Sequence, residues 1–477
     1  EEAYRSESYS DAMATFENFL KQYPSDENAD TAKVRIALCR VRIVVNDSQR
    51  AYETAMEQLP TVQDLEAFST ARDELATLLP AIPEGFIKKA KQAPDTNAME
   101  ELIGKAEKAL ADLVNKPEYV PASKRPAERL KRIDEDILIV KRAIAQDRDL
   151  TKAIAEIKQH AANNKTVEAY QVYKDLLNIY PVVADDPGMQ AAVLEITERQ
   201  KGLVKVEEAA MEASKTDETS LTEFRVVLAS RTANAANGVA RLNGQVVPLL
   251  AAGAVYGLDA GTGKVLWRRY VGHVTDHHPQ PLNGQPDADV LVTDGHRQEL
   301  LRVNSTSGDL VWRLAIGEGF AAPSIAGDQI YVATISGKIL QIDAESGNSE
   351  RRVVMPQGLE ISPGAAQIHP YLIQIGDHSN LYAISRDSMT CEHVVYFGHK
   401  AGTVATPPLI VQDHVLIAEN AGPAYCLLHV FKITPSGDGP LLRRPQAPIR
   451  LTGNVIVPMV LYGRRPLVVT DLGEVNV

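Results

Sequence analysis

The sequence predicts an all-α region at residues 1–220, followed by a β-propeller of four-stranded blades at residues 221–477. The first observation is that residues 1–220 hold only four of the 30 glycines and are rich in Ala, Glu, Lys and Leu, which favour helix. The second is that the rest of the chain is rich in Val, Ile, Thr and turn residues, which favour short strands. The third is a turn motif repeated at intervals of 45 and 39 residues, a period typical of propellers and solenoids. The boundary is predicted within the polar segment Lys215–Asn237.

One helical motif occurs twice, at Ala12–Pro24 and at Ala169–Pro181. In each copy an Ala, an aromatic residue and a Leu recur four residues apart and share one helix face, and Tyr-Pro ends the helix. A second helical segment is predicted after each copy, near Ala29–Val44 and Met189–Val206. The copies resemble tetratricopeptide-type helical hairpins, which implies grooves for segments of other proteins. Because tandem copies would lie about 34 residues apart, a helical insertion is predicted between them, at about residues 48–150.

Within this insertion, Pro126–Arg148 is a highly charged predicted helix. One interpretation is a partner-binding or coiled-coil face. The other, which we favour, is a solvent-exposed helix stabilised by ion pairs between residues four apart, such as Glu128 with Arg132.

The turn motif occurs at Asp259–Trp267, Asn304–Trp312 and Asp343–Gly347. Its first residue is a short side-chain acceptor for N–H groups of the turn, and its Gly supplies the positive φ that closes a hairpin. In the first two copies a Trp follows the Gly by four residues, where its ring can pack against a neighbouring unit. The later units lack this Trp, so smaller residues such as Val353 and Val395 are expected to make that contact.

The clearest repeat unit is Ala322–Met355, which contains four short predicted strands, as in a propeller blade. Similar units are predicted at Val246–Val271, Asp289–Ile316, Tyr371–Phe397 and Val415–Ile449, with a truncated unit at Val455–Val477. About five blades and a partial sixth are therefore predicted. Closed propellers commonly need about six to eight blades, so residues beyond 477 are expected to complete the ring.

These turn motifs resemble the pyrroloquinoline-quinone-like β-propeller repeat, whose signature is Ala-x-Asp-x-x-Thr-Gly-x-x-x-Trp. Gly257 replaces the Ala in the first copy, and Asp343–Gly347 is a partial match. The resemblance covers roughly residues 226–477 and implies a propeller. The family includes quinoprotein dehydrogenases, non-enzymatic scaffolds such as the outer-membrane assembly lipoprotein, and large exported or membrane-anchored bacterial proteins. It therefore implies a periplasmic or cell-envelope location.

No catalytic, cofactor-binding or metal-binding residue is assigned from the sequence. A quinoprotein site needs a Trp floor, calcium ligands and a catalytic Asp, whereas Trp267 and Trp312 both occupy the turn-motif position. Gly261–Lys264 and Gly317–Ala322 look like parts of nucleotide-binding loops. A strand is predicted after each instead of a helix, so both are interpreted as turns.

The histidines of the propeller region suggest a metal hypothesis. Asp276, His277 and His278 are consecutive, with His273 and His296 nearby in sequence. Such side chains bind zinc where they converge. Because no fixed spacing imposes a geometry on them and loop histidines are usually solvated, no metal is assigned.

The three cysteines, Cys39, Cys391 and Cys426, form no CxxC pair, which argues against a zinc or redox motif. Cys391 and Cys426 lie in neighbouring repeat units. They are interpreted either as a disulfide or, as we prefer, as two buried free thiols.

Charge and hydropathy argue against nucleic-acid-binding and membrane-spanning proteins. The net charge of −12 argues against a nucleic-acid-binding surface, which needs clustered Lys and Arg. No run approaches the roughly 18 apolar residues of a membrane helix, so membrane attachment is expected only through segments outside this chain. The chain opens at Glu1 without a Met and stops inside a predicted strand, so it is interpreted as a fragment whose targeting signals lie elsewhere.

The leading functional hypothesis is a non-enzymatic scaffold that binds other proteins or peptides. Helical hairpins present grooves and propellers present rigid faces of loops, and one chain here is predicted to contain both. Two alternatives stay open: a degenerate quinoprotein-like enzyme, and a sensor or regulatory ectodomain of a larger membrane protein. No cofactor is predicted.

Overall fold

The computed structural model describes residues 2–217, 240, 242–366, 369–434 and 440–477. They form two compact units. The first contains the described residues up to Ala155 together with Asp175–Asp185, and the second contains Glu156–Lys174 and the described residues of Asp186–Val477. The predicted boundary segment Lys215–Asn237 lies outside the described ranges from residue 218 onward. Helical residues on the N-terminal side of that boundary belong to the same compact unit as the sheets.

Helices make up the chain as far as residue 203. They are α1 (Glu2–Arg5), α2 (Tyr9–Gln22), α3 (Ala29–Val44), α4 (Ser48–Val62), α5 (Phe68–Leu78), α6 (Ala81–Ala90), α7 (Thr96–Ala109), α8 (Ala127–Ala162), α9 (Thr166–Ile179) and α10 (Pro187–Leu203). Residues 48–150 are mostly helical, as predicted, and α2 and α3 occupy the predicted positions. Carboxylates cap two of the helices: Asp95 accepts the N–H of Ala98, and Asp186 accepts the N–H of Met189.

The core of the first unit is one apolar cluster contributed by its helices. Its largest fully buried side chains include Leu38, Leu59, Leu75, Phe86 and Tyr119. The spacing of apolar residues along each helix gives it one buried face, so burial of these faces drives the packing.

The charged helix α8 differs in one respect from its prediction. Glu128 and Arg132 form no ion pair within the described structure. Lys131 and Glu135, which are also four residues apart, do form an ion pair, at 4.0 Å. α8 also makes ion pairs with earlier helices: Arg129 donates to both carboxylate oxygens of Glu84, at 2.7 and 2.6 Å. A planar guanidinium matches a carboxylate in this bidentate geometry, which a neighbouring helix offers here.

Short antiparallel strands form the rest of the second unit. They are β1 (Lys205–Met211), β2 (Val246–Ala251), β3 (Ala254–Asp259), β4 (Val265–Tyr270), β5 (Gln280–Pro281), β6 (Val290–Asp294), β7 (Glu299–Val303), β8 (Leu310–Ala315), β9 (Ser324–Ala326), β10 (Gln329–Ala333), β11 (Lys338–Asp343) and β12 (Ser349–Val354). They continue as β13 (Tyr371–Ile375), β14 (Asn380–Ser385), β15 (Cys391–Tyr396), β16 (Leu409–Val411), β17 (His414–Gly422), β18 (Tyr425–Ile433), β19 (Leu442–Arg443), β20 (Ile449–Thr452), β21 (Val460–Tyr462), β22 (Arg465–Val469) and β23 (Val475–Asn476).

The strands pair in sequence order into successive sheets. The first sheet is β2–β4, the second β5–β8, the third β9–β12, the fourth β13–β15, the fifth β16–β20 and the sixth β21–β23. β1 adds to the outer edge of the third sheet by pairing with β12. The composition of residues 1–220 does not predict this strand.

Consecutive sheets share apolar clusters. Val353 of the third sheet packs in one cluster with Leu372 and Tyr382 of the fourth, and Val395 packs against the cluster shared by the fourth and fifth sheets. These two valines, which the sequence predicts as contacts between units, thus contribute to the apolar clusters that consecutive sheets share.

Candidate functional site

The turn motifs have the geometry that their residues predict. Asp259 Oδ1 accepts the N–H of Thr262 at 2.7 Å and its hydroxyl at 2.6 Å, and these hydrogen bonds hold the pKa of the Asp259 carboxyl below its ordinary value. Asp343 accepts the same two kinds of hydrogen bond from Ser346. Gly263, at φ +72°, closes the first turn. The first residue and the Gly of the motif therefore stabilise the turn.

Both tryptophans pack against the next sheet. Trp267 Nε1 donates to the carbonyl oxygen of Ser305 at 2.7 Å, and Trp312 Nε1 donates to that of Ala344 at 3.1 Å. The two rings are buried in the clusters between the first three sheets. Neither indole therefore forms the floor of an open site on which a quinone could stack.

In the third copy, Arg351 takes the place of the Trp. Like both tryptophans it lies four residues after the motif Gly, here Gly347, and it pairs with the equivalent residue of the preceding strand. Its Nη1 donates to the carbonyl oxygen of Asp387 in the fourth sheet, at 3.3 Å. The spacing from Gly347 was the signal that could have identified this contact.

The predicted His-rich loop does not assemble a ligand set in the structure. His277 Nε2 lies 3.3 Å from Asp276 Oδ1, and His278 Nδ1 accepts the N–H of Leu250 at 3.3 Å. Burial lowers the pKa of both imidazoles, which favours their neutral forms. Across the described ranges, no three His, Cys, Asp or Glu side chains are grouped as metal ligands.

Cys39, Cys391 and Cys426 form no disulfide in the structure. Burial raises the pKa of Cys391 to about 12 and also raises that of Cys426. A thiol is a weak nucleophile while it stays protonated, so these residues act as small apolar side chains.

A groove of about 490 Å³ lies between α7 and α8 of the first unit. Its lining is contributed by Glu100, Ile103, Gly104, Glu107, Lys141, Ile144, Ala145, Arg148 and Asp149. Ile103 and Ile144 are buried in the helical core and give the groove an apolar floor. A Cβ on Gly104 would meet no atom within 4 Å, so the space above this residue is open.

Ion pairs between the two helices bound the groove. Lys141 Nζ lies 2.6 Å from Glu107 Oε1, and Arg148 pairs with Glu100. The paired side chains are about half exposed, so solvent screens each pair and their contribution to stability is small. An apolar floor between polar walls is typical of sites that bind a side chain of a polypeptide or a small ligand.

A second polar cluster joins helices to sheets inside the second unit. Tyr170 of α9 donates to Asn380 Oδ1 at 2.7 Å, and Gln200 of α10 donates to the hydroxyl of Tyr382 at 2.7 Å. Gln357 Oε1 accepts from both Asn380 and Tyr382, at 2.8 and 2.6 Å. Buried polar groups paired in this way fix one relative position of the helices and the sheets. Sequence patterns gave no sign of this cluster.

No helix in the described part of the chain is both long enough and apolar enough to cross a membrane.

Comparison with known proteins identifies the repeat. Residues 251–431 match the family model described as outer membrane protein assembly factor BamB. The resemblance to the pyrroloquinoline-quinone-like repeat is thereby confirmed, and the sheets form a β-propeller fold. No curated protein matches the sequence.

Several solved structures of low sequence identity are similar to part of the chain. BamB from Moraxella catarrhalis is 15% identical, with a TM-score of 0.37, over 50% of this chain and 70% of that one. The WD40 domain of Neurospora crassa Pan2 is 15% identical, with a TM-score of 0.33, over 47% and 68%. Saccharomyces cerevisiae Sqt1 is 10% identical, with a TM-score of 0.37, over 48% and 66%.

Proposed function

We propose that this chain is a non-enzymatic protein-interaction scaffold that holds a segment of a partner protein in the groove between α7 and α8. The observation that carries the proposal is the groove itself: an apolar floor at Ile103 and Ile144, open space above Gly104, and charged walls. A partner segment could place an apolar side chain on the floor and exchange polar contacts with the walls.

The chemistry of the groove supports binding rather than catalysis. The carboxylates of Glu100 and Glu107 are each paired with a cation of α8, and Asp149 accepts the hydroxyl of Tyr180 at 3.0 Å. A general base or a nucleophile needs a free reactive group directed at substrate, and such groups are engaged here in holding the walls together.

The domain combination and the matched family support the same role. The motif copies at Ala12–Pro24 and Ala169–Pro181 resemble tetratricopeptide hairpins, which bind segments of other proteins. The family matched by residues 251–431 is described as an outer-membrane assembly factor. We therefore propose that the scaffold acts at the bacterial cell envelope, in the periplasm or anchored there, with proteins or peptides as its partners.

The test blocks the groove without disturbing the fold. Gly104→Leu places a side chain in open space and replaces Gly by a better helix former, so the helical unit should be as stable as before or more so. Gly202→Leu in α10 is the matched control, because a Cβ there also meets nothing within 4 Å. Each variant and the wild type are used to capture partners from envelope extracts of the native host, with crosslinking, and thermal unfolding is followed by circular dichroism.

The expected result is that Gly104→Leu loses a partner that the wild type and Gly202→Leu both retain. Capture of the same proteins by all three chains, or of none by the wild type, contradicts the proposal. The enzymatic alternative has its own measurement. Adding pyrroloquinoline quinone and Ca²⁺ should leave the quinone absorption spectrum unchanged, whereas a calcium-dependent change favours an enzyme.

A further inference from the structure

The last strands of the first three sheets share one position whose backbone N–H and C=O groups point away from the preceding strand of the same sheet. It is occupied by Arg268 in β4, Arg313 in β8 and Arg352 in β12, each one residue after the position of the motif Trp or Arg351. In the third and second sheets, another segment of the chain pairs with this position. The first sheet offers the same position without a strand beside it in the described structure.

In the third sheet, an acidic extended segment covers the position. β1 pairs with β12 so that Glu207 lies opposite Arg352 and Glu208 opposite Arg351. The carboxylate of Glu207 lies 2.9 Å from Nε and 2.7 Å from Nη2 of Arg352. Backbone pairing and a charge-assisted hydrogen bond therefore act on the same residue.

In the second sheet, the chain that follows β1 pairs with this position through backbone hydrogen bonds. The N–H of Ser214 donates to the carbonyl oxygen of Arg313, and the N–H of Arg313 donates to that of Ser214, both at 2.8 Å. Further along this segment an ion pair lies at the first sheet, where Asp217 accepts from both terminal nitrogens of Arg269, at 3.1 and 2.9 Å. The segment thus contacts the outer strands of three sheets in turn.

In the first sheet, β4 is an edge strand as far as the structure describes the chain. Just beyond the strand ends, the N–H of Val271 donates to the carbonyl oxygen of Gly253. Hydrogen bonding alternates along an antiparallel ladder, so the N–H and C=O groups of Arg268 and Tyr270 point away from β3. The side chains of Leu266 and Tyr270 are 47% and 54% exposed. An edge with outward-pointing N–H and C=O groups and exposed apolar side chains is a template for another strand.

We infer that the outer edge of β4 binds an extended acidic segment of a partner protein, which adds to the first sheet as β1 adds to the third. The partner places a Glu or Asp opposite Arg268 and apolar side chains against Leu266 and Tyr270. Lys264 and Arg268 give the edge a positive charge that complements such a segment. This inference rests on the proposed function, since it names the partner chemistry of a second surface on the same scaffold.

The probe is a fluorescein-labelled peptide with the sequence of β1, Lys-Val-Glu-Glu-Ala-Ala-Met, with blocked ends. Its matched control carries Gln for both Glu. Binding to the full chain is measured by fluorescence anisotropy at low salt. The acidic peptide should bind on the order of tenfold more tightly than the Gln peptide, since a charge-assisted contact is worth about 1.4 kcal/mol or more. Methylation of alternate peptide nitrogens should abolish binding, because it removes the backbone donors that strand pairing needs.

Charge reversal locates the site. Arg268→Glu should weaken the acidic peptide about tenfold and should strengthen binding of a peptide with Lys for both Glu. Arg465→Glu, at an exposed position of β22, is the control and should change neither affinity. Binding that responds to Arg352→Glu but not to Arg268→Glu would show exchange with β1 at the third sheet and would overturn the inference, as would no binding or no preference for the acidic peptide.

The two proposals fail separately. Gly104→Leu should leave peptide binding unchanged, because Gly104 belongs to the first unit. If the peptide does not bind while Gly104→Leu still loses the captured partner, the edge-strand inference is wrong and the groove stands. If peptide binding depends on Arg268 but Gly104→Leu captures the same partners as the wild type, the groove assignment is wrong.

Discussion

The indole of Trp312 lies directly against Gly347, the glycine that closes the turn motif of the next sheet. A Cβ built on Gly347 would stand 2.6 Å from the ring of Trp312 and 2.7 Å from the Cβ of Ala213. Gly347 therefore serves two purposes: its φ of +79° closes the turn, and its missing side chain admits the ring. The turn motif therefore contributes a Trp that packs against the next sheet and a Gly that makes room for the Trp of the preceding sheet.

Comparing Gly347→Ala with Gly263→Ala distinguishes the effect of the positive φ from the effect of the contact with the ring. Both glycines occupy the same motif position at similar positive φ, but a Cβ on Gly263 meets nothing within 4 Å. Gly263→Ala should cost about 1 kcal/mol through backbone strain alone. Gly347→Ala should cost about 1–3 kcal/mol more, because the ring of Trp312 must move. Urea unfolding of the two variants measures the difference, and equal losses would show that the ring contact is not tight.

Removal of the ring itself should be among the most damaging changes in the sheets. Trp312 is completely buried, so Trp312→Ala leaves a large cavity and should cost about 3–5 kcal/mol. Trp312→Phe fills much of that volume but loses the hydrogen bond to Ala344, and it should cost less. The chain has only two tryptophans, so unfolding of Trp267→Phe can be followed by the fluorescence of Trp312. An emission maximum typical of exposed indole in that folded variant would contradict this burial.

Local features of the fold could be predicted from the sequence because their causes are local. The acceptor at Asp259, the glycine four residues later and the following Trp act through spacing, and each has the predicted role. Helices α2 and α3 follow from apolar spacing and from Tyr-Pro at the end of the first. Arg351 shows the limit of this reasoning. It lies four residues after the motif Gly, as each Trp does, but an Arg at this position does not by itself suggest a contact between sheets.

Features that depend on distant partners could not be predicted. β1 contains Glu and Ala, which favour helix, and it is extended because β12 offers an edge with arginines opposite its carboxylates. The polar cluster around Gln357 joins residues from α9, α10 and the fourth sheet, and no spacing along the chain relates them. The groove between α7 and α8 likewise depends on how two helices pack.

The polar cluster of the second unit should be sensitive to loss of its central member. Gln357→Leu leaves Asn380, Tyr382 and Gln200 short of a buried partner, and each unsatisfied buried group costs about 1–3 kcal/mol. The free energy of unfolding, measured with urea, should therefore fall by about 2–4 kcal/mol. Tyr170→Phe, which removes one hydrogen bond at the rim of the cluster, should cost about 1–2 kcal/mol.

Tyr180→Phe serves as the control for these variants. Tyr180 likewise donates a hydrogen bond from its hydroxyl, to the carboxylate of Asp149, but its side chain is only partly buried. This substitution should leave the unfolding transition unchanged. A loss for Tyr180→Phe as large as that for Tyr170→Phe would show that burial is not what makes the cluster important.

Cys391 should react slowly with thiol reagents while the protein is folded. Burial raises its pKa to about 12, so little thiolate is present at pH 8, and thiolate is the reactive form. Alkylation by iodoacetamide at pH 8, followed by mass spectrometry of the Cys391 peptide, should be at least tenfold slower in the native protein than in urea. Equal rates would contradict the conclusion that the Cys391 thiol is partly buried and protonated.

Acid should destabilise the sheets through His399. This imidazole is buried, its Nε2 lies 3.0 Å from the carbonyl oxygen of Gly376, and burial lowers its pKa to about 4, against an ordinary value of 6.5. The charges near it are Glu419, which favours the protonated form, and His378 and Lys174, which oppose it. Because the unfolded chain binds a proton here more readily than the folded one, stability is fully present above pH 6.5 and falls as the pH drops towards 4.

The loss over that window should reach about 3 kcal/mol, from about 1.4 kcal/mol for each unit of pKa difference. Urea unfolding at several pH values between 7 and 4 measures the slope. His399→Gln keeps a donor for the carbonyl of Gly376 but cannot take up a proton, so its stability should depend less steeply on pH. A variant slope equal to that of the wild type would assign the acid sensitivity to other groups, such as the pair of Glu419 with His429.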